Sequence, residues 1–535
     1  MTGAGRRKAD GSSTRGQPVN GARALLRTLV NSDVDVCFAN PGTSEMHFIA
    51  ALDDVPEMRT VLGLFEGVAT GAADGYARIT GRPAATLLHL GPGMANGMAN
   101  LHNARRARSP MVNIVGEHAT YHRVHDTPLT SDIETVAGTF SNWVRTPQRT
   151  ADLGPAAADA VVAAMGPPAG IATLVLPADV SWGDGGRAEP PAPRRAPATV
   201  ASDDVRRIAK LLDSGERVTF LLGGSATRAE ALRCASRIRE ATGASVLTET
   251  SLARLERGGG LPVVDRLNYR GGAALRQLAG TRHLVLVDAR PPVAFFAYPG
   301  RPSVLTPEDS EVHVLATAGD DVAGALAELA DLVAPGVAAV PGPVRPRAER
   351  DAELPTGPLT AAAIGAAVAA LLPDGAIVVD EGVTSGGHVQ QALTDGPRHD
   401  WLNVTGGAIG IGLPLAVGAA IGAPDRRVLG LQADGSTMYT IQGLWTMARE
   451  NLDITTIVFA NREYGILRGE LARVGATAGP RALDLLDLGR PDLDFVALAT
   501  GMGVAAERAT TAEHFTAALR RALAGSGPRL VEAVL

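Results

Sequence analysis

Asp434 and Asn461 stand 27 residues apart, and each closes a short apolar run. Residues 428–431 lead into Ala433-Asp434-Gly435-Ser436, and residues 456–459 lead into Ala460-Asn461-Arg462-Glu463-Tyr464-Gly465. If both runs are strands, these side chains emerge at carboxyl ends, where open α/β sheets bind ligands. A carboxylate and an amide oxygen suit a hard cation such as Mg2+, which takes octahedral oxygen ligands and shares them with phosphate. Gly435 lets the backbone approach a ligand, and Ser436 can donate to a phosphate oxygen near a helix start. Taken singly, the Asp and the Asn read equally well as helix caps. Taken together at this spacing, they read as a cation–diphosphate cradle.

Other candidates are scattered through the chain. Glu66, in LFEGVATGAADGYAR, sits at the expected end of an apolar strand. It reads either as a functional carboxylate or as a helix N-terminal Glu favoured by the macrodipole. His89, in LLHLGPGMANG, stands at another expected strand end, suited to proton transfer near neutral pH or to a structural role. Thr43, in Asn40-Pro41-Gly42-Thr43-Ser44, reads as a substrate contact or a turn and cap. Gly91-Pro92-Gly93 with Gly97 is a weak dinucleotide-loop pattern, since no acidic residue closes a strand about 20 positions on. His118, His122 and His125 have a spacing compatible with one helix face, but a solvated or substrate-facing loop is favoured over a metal site.

These residues need rigid elements to bring them together. The chain has 535 residues, too many for one core. Two Pro- and Gly-rich stretches, 185–199 and 335–358, read as linkers. They leave three blocks, 18–184, 200–334 and 358–535, behind a polar tail at 1–17 expected to be disordered. In each block, apolar runs of four to six residues alternate with amphipathic stretches. The runs are 34–38, 85–89, 112–115 and 172–176; then 218–222, 284–287 and 312–315; then 376–379, 428–431, 456–459 and 530–534. The expected fold is α/β, with three doubly wound parallel-sheet domains covered by helices on both faces. A net charge of −6 gives no footprint for nucleic acid. The only lysines are Lys8 and Lys210, and no Gly-Lys-Ser/Thr is present, which argues against Schiff-base chemistry and a P-loop. Two cysteines, Cys37 and Cys234, make no disulfide framework. With no signal-like or membrane-spanning stretch read in the sequence, a cytoplasmic setting is expected.

The segment ADGSTMYTIQGLWTMARENLDITTIVFANREYG resembles the thiamine-diphosphate signature, which typically opens Gly-Asp-Gly and closes Asn-Asn. Ala433 and Ala460 depart from it, while the two metal-ligand positions are kept. The resemblance covers nearly the whole chain and is nearest to the acetolactate synthase and benzoylformate decarboxylase group. It implies, in order, a pyrimidine-binding, a central and a diphosphate-binding domain. By resemblance, Asp434, Asn461 and the backbone carbonyl of Glu463 hold Mg2+. Thr384, Ser385, Gly407, Gly435, Ser436, Tyr464 and Gly465 contact the cofactor, and Ile409 supports its folded shape. Glu66 matches the glutamate that activates the aminopyrimidine, leading to a C2 ylid that attacks a 2-oxo acid. The resulting enamine is protonated, or adds to a second carbonyl. His89 matches a proton-transfer histidine, and Thr43 a substrate loop. A second catalytic histidine is missing near Phe295-Phe296; these, with Met438 and Leu467, can line an apolar pocket or the core. The arginine-rich flavin-side motif is replaced by Asp288-Ala289-Arg290-Pro291, so FAD is not expected, though Gly223-Gly224-Ser225 could be a vestigial dinucleotide turn. The resemblance further implies a homodimer or homotetramer with the cofactor between subunits. The alternatives are a non-catalytic or regulatory relative, which would be expected to lose Glu66, Asp434 or Asn461, and a nicotinamide-dependent oxidoreductase.

Overall fold

The apolar runs become strands of three sheets. The computed structural model describes residues 19–191 and 193–535, so the tail expected at 1–17 lies outside the described residues. The first sheet is built from β1 (Val36–Asn40), β2 (Arg59–Leu62), β3 (Ala84–Leu88), β4 (Met111–Glu117), β5 (Trp143–Arg145) and β6 (Ile171–Pro177), in the order β2-β1-β3-β4-β6-β5. From β7 (Val218–Leu222), β8 (Ser245–Thr248), β9 (Leu255–Arg257), β10 (Asp265–Arg266), β11 (His283–Val287) and β12 (Glu311–Ala316), all but β9 form the second sheet, ordered β10-β8-β7-β11-β12. The third combines β9 with β13 (Ala376–Glu381), β14 (His399–Asn403), β15 (Val428–Ala433), β16 (Ile454–Ala460), β17 (Ala505–Ala509) and β18 (Arg529–Val534), ordered β17-β18-β16-β15-β13-β14-β9.

Strands in the middle of the sheets are buried along nearly their whole length, as in β3, β4, β7 and β16. That is why they read as uninterrupted apolar runs. Edge strands are short and partly exposed. β2, β5 and β17 carry Arg59, Arg145, Glu507 and Arg508, and their weak patterning leaves no apolar run to find. One expectation needs correction. The sheets are not wholly parallel, because β9 from the central block crosses over and pairs antiparallel with β14 at the edge of the third sheet. Two boundaries also move. His89 lies just past β3 and caps helix Leu90–Ala107, while Glu66 does not end a strand: β2 stops at Leu62, and Glu66 opens helix Glu66–Thr80 after the extended Phe65. No helix among the described residues is long and apolar enough to cross a membrane.

The first and third blocks meet through two helices of small residues, Glu66–Thr80 and Gly412–Gly422. A Cβ on Gly418 would lie 1.8 Å from the carbonyl oxygen of Ala72, and one on Gly75 would lie 2.2 Å from that of Leu415. Only glycine permits such backbone approach. Arg78, on the first of these helices, pairs with Asp74 at 2.5 Å and donates to the Asn403 carbonyl at 2.7 Å and to Thr405 Oγ1 at 3.0 Å. Both charges are buried, but they are paired and hydrogen-bonded, which is the condition for burying charge. Gly418→Ala should push the two helices apart and destabilise the protein by at least about 1–3 kcal/mol, the usual cost of overpacking. Urea unfolding measures it, and an unchanged midpoint would contradict this packing.

Candidate active site

Strand order gives each sheet one place where ligands can enter. In the third sheet, β13 connects to β14 on one side and β15 to β16 on the other, so β13 and β15 flank the point where the order reverses. Such switch points leave a crevice beyond the strand ends. In-register pairing of Ala433 with Phe459 then sets Asp434 beside the end of β16, and the two sequence-distant segments converge. One cleft is lined by Thr384, Ser385, Ile409, Asp434, Gly435, Ser436, Asn461, Glu463, Tyr464 and Gly465. Gly407 lies outside this lining. Its backbone is left-handed (φ +78°), and a Cβ there would lie 2.6 Å from the Phe295 ring.

Asp434 is buried. Its Oδ1 accepts from the Gly435 N–H at 2.8 Å and its Oδ2 from the Arg462 N–H at 2.6 Å. Desolvation raises its pKa against the lowering effect of these donors. Among the described residues no Arg, Lys or His forms an ion pair with it. The segment carrying Glu463 runs beside Asp487, bonded through the Tyr464 N–H and the Arg462 carbonyl, an arrangement that leaves the Glu463 carbonyl out. The Tyr464 ring closes over Gly435, where a Cβ would lie 2.4 Å from the ring.

One residue of this region lies in the segment 380–385, which resembles the family's loop at the diphosphate end, yet the sequence gives it no role of its own. Glu381, at the end of β13, is fully buried and accepts three backbone N–H groups, from Gly410 at 2.7 Å, Ile411 at 3.2 Å and Gly412 at 2.7 Å. Burial pushes its carboxyl up to about 7, although the three donors pull the other way.

The first sheet repeats the pattern. Its order reverses between β1 and β3, and the loops after these strands carry Thr43 and His89. The exposed Thr43 opens a single turn that ends at Glu45. Glu45 is a second residue without a role read from sequence. It is buried, accepts from the Gly42 N–H at 2.7 Å and lies 2.8 Å from His89 Nδ1. Burial raises its pKa, while His89 and the Gly42 N–H lower it. Its position two residues beyond Thr43 in an expected ligand loop was the available signal. Gly42 leaves room for the imidazole, since a Cβ there would fall 2.2 Å from His89 Nδ1. Glu66 is buried and accepts from Asn96 Nδ2 at 2.9 Å through Oε2. Its Oε1 faces Gly93, where a Cβ would come within 2.8 Å. Gly93 and Gly97 thus serve packing against helix Glu66–Thr80, with a Cβ on Gly97 only 2.8 Å from the Thr70 methyl, and they form no open dinucleotide turn. Glu66 and His89 do not line the third-sheet cleft of their own chain.

The remaining candidates fall elsewhere. His118, His122 and His125 share no helix face, because β4 ends at Glu117 and the chain turns. Their rings meet in series at steep angles, with centroids 5.7 and 5.5 Å apart, and His118 bonds Thr127. Phe295, Phe296, Met438 and Leu467 are exposed and belong to no core cluster. In the central sheet, Gly223-Gly224-Ser225 follows β7 at the switch point beside β11. Its donors are already used: Asp288 Oδ2 accepts from the Ser225 N–H at 2.8 Å and from its hydroxyl at 3.1 Å.

Two sheets with carboxylate-bearing switch points, one suited to a cation and diphosphate, define the architecture of a thiamine-diphosphate enzyme. Residues 19–136 match the thiamine pyrophosphate enzyme N-terminal TPP-binding domain, and residues 383–533 match the C-terminal TPP-binding domain. The chain belongs to the thiamine pyrophosphate enzyme family. It is 59% identical to the Mycobacterium tuberculosis protein IlvX, which carries an acetolactate synthase large-subunit name, over 97% of this chain and 99% of that one. It is 30% identical to a benzoylformate decarboxylase of Pseudomonas aeruginosa, over 92% of this chain and 95% of that one. The solved 4-hydroxybenzoylformate decarboxylase of Rhodococcus jostii superposes with a TM-score of 0.84 at 26% identity, covering 96% of this chain and 98% of that one.

Glu381→Gln keeps the shape but places an amide N–H among the three donors. It should cost about 1–3 kcal/mol, the penalty of leaving a buried polar group unmatched. The wild-type carboxyl binds a proton in the folded state at pH values where the unfolded chain has lost it, so stability falls as pH rises from about 4.5 to about 7. Urea unfolding of the cofactor-free protein across that window should show the slope, at most about 1.4 kcal/mol per pH unit, and the variant should lack it.

Proposed function

We propose that this chain is a Mg2+-dependent 2-oxo acid decarboxylase or carboligase of the acetolactate synthase-like group. The observation that carries the proposal is the single cleft joining Asp434, Asn461, Glu463, Ser385 and Ile409 at a switch point. A buried carboxylate held only by backbone donors, next to an amide oxygen and a carbonyl left out of pairing, fits a hard divalent cation. When bound, thiamine diphosphate supplies the carbon nucleophile and the electron sink for loss of carbon dioxide. Asp434, Asn461 and the Glu463 carbonyl hold the cation, while Thr384, Ser385 and Ser436 donate to the diphosphate. Gly435 admits the diphosphate to the backbone, Tyr464 and Gly465 close that side, Ile409 props the cofactor, and Gly407 shapes the adjoining turn.

Glu66 presents Oε1 to a ring nitrogen of the aminopyrimidine, with Asn96 fixing the other oxygen. His89 moves protons at the substrate, held by Glu45, and Thr43 contacts the 2-oxo acid. The proposed site is completed by a second copy of the chain, in a homodimer or homotetramer. Exposed apolar side chains lie close in sequence to residues of both half-sites, Met46 and Leu64 on one and Met438, Tyr439 and Leu467 on the other. No flavin is needed in this reading, because Asp288 uses the donors a phosphate would require in the central sheet. The free cysteines Cys37 and Cys234 suit the cytoplasm.

Purified protein with thiamine diphosphate and Mg2+, offered a panel of 2-oxo acids, should release carbon dioxide. The same reactions read out aldehyde against acyloin or acetolactate-type products. No turnover of any member would reject the proposal. Asp434→Asn should raise the Mg2+ needed for half-maximal activity by at least about 100-fold, beyond the ~10–100-fold typical of outer contacts. Co-expressed Glu66→Gln and Asp434→Asn chains, each strongly impaired alone at limiting Mg2+, should regain activity in mixed oligomers. Sites built within one chain would give none.

A further inference from the structure

At the end of the central sheet opposite the Gly223 turn, four ionisable side chains meet. His283 opens β11, Glu311 and His313 lie on the edge strand β12, and Glu216 precedes β7. Parallel pairing sets His283 beside Glu311, Val285 beside His313, and His283 beside Val218. His283 Nδ1 lies 3.1 Å from His313 Nε2. Glu311 Oε2 is 3.8 Å from the first of these nitrogens and 3.7 Å from the second. His283 Nε2 lies 2.8 Å from Glu216 Oε2. His283 is buried, His313 is partly buried and Glu311 is exposed.

The hydrogen-bond roles follow from these contacts. A carboxylate can only accept, so Glu216 places the ring proton of His283 on Nε2. In the neutral ring, Nδ1 then turns a lone pair toward His313 Nε2 and the Glu311 oxygen. A tetrahedral Zn2+ with bonds of about 2.0–2.1 Å holds its ligand atoms about 3.3–3.4 Å apart. The triangle of 3.1, 3.7 and 3.8 Å brackets that spacing. Glu216 stands where metal-binding histidines place their outer carboxylate. Two guanidinium groups are near: Arg207, which pairs with Asp204, and Arg282, 3.6 Å from Glu216.

We propose that His283, His313 and Glu311 bind a divalent transition metal of the Zn2+ class, with Glu216 orienting His283 and water filling the open position. Two imidazoles select such an ion over Mg2+, which prefers oxygen. The ion ties edge strand β12, whose Val312 and Val314 are exposed, to the interior of the sheet. It lies at the amino ends of the strands, away from the carboxyl-end sites described above.

The test uses the full-length protein, stripped with chelator, reconstituted with thiamine diphosphate and Mg2+, and then titrated with Zn2+ or Co2+. One metal per chain should survive desalting, Co2+ should give the intense visible absorption of a tetrahedral site, and Zn2+ should raise the melting temperature. His313→Ala should weaken Zn2+ binding by at least about 100-fold, and Glu216→Gln by about 10–100-fold. Glu311→Gln alters an exposed side chain and serves if His313→Ala does not fold; it should also weaken binding. Failure of the wild type to retain Zn2+, or equal retention by the Glu311→Gln chain, would overturn the site and leave a hydrogen-bonded histidine pair.

Discussion

Burial of the Glu381 carboxylate under three backbone N–H groups is the constraint on which the candidate site rests. Those donors belong to the turn that starts helix Gly412–Gly422, where the orphan N–H groups and the helix dipole attract negative charge. Glu381 therefore fixes Ile409, which directly precedes the turn, and the helix that follows. The same helix meets helix Glu66–Thr80 backbone to backbone at Gly418 and Gly75. One carboxylate thus couples the third-sheet cleft to the element that carries Glu66. Its raised pKa reflects the cost of holding it there.

In each of the three sheets one adjacent pair of strands sends its onward connections to opposite sides, and polar groups stand at this reversal. The first holds Thr43, Glu45 and His89, and the third holds Asp434, Asn461 and Ser385. The central reversal is closed by the chain itself, with Asp288 bonded to Ser225 and paired with Arg108 at 2.6 Å. A single topological device yields two sites shaped for a ligand and one filled by a side chain. The fold alone would not distinguish these cases; the side chains at each reversal do.

Much of this was legible in sequence because buried parallel strands leave continuous apolar runs, and every run read as a strand became one. The conjunction of Asp434 with Asn461 was legible because both follow such runs. Edge strands such as β2 and β17 were not, since their exposed positions carry charge and break the run, whereas edge strand β12 keeps Val312 and Val314 and was legible. β9 could not be assigned to its sheet, because three residues give no hint of a crossover between blocks. Glu381 and Glu45 escaped for a different reason. What marks them is burial against particular backbone donors and one imidazole, and such partners are set by tertiary contact. The glycines of the Gly91 loop carry only a weak motif, and the structure gives them another use. Their spacing suggested a nucleotide turn, while their use is close helix packing beside Glu66.

The proposed reaction depends on Glu66 activating a bound aminopyrimidine. The most direct measurement is the rate of proton–deuterium exchange at C2 of thiamine diphosphate bound to the wild-type protein and to Glu66→Gln. The account predicts fast exchange in the wild type and exchange slowed by at least about 100-fold in the variant, the lower end of general acid–base contributions. Equal exchange rates in the two proteins, with cofactor bound in both, would contradict it.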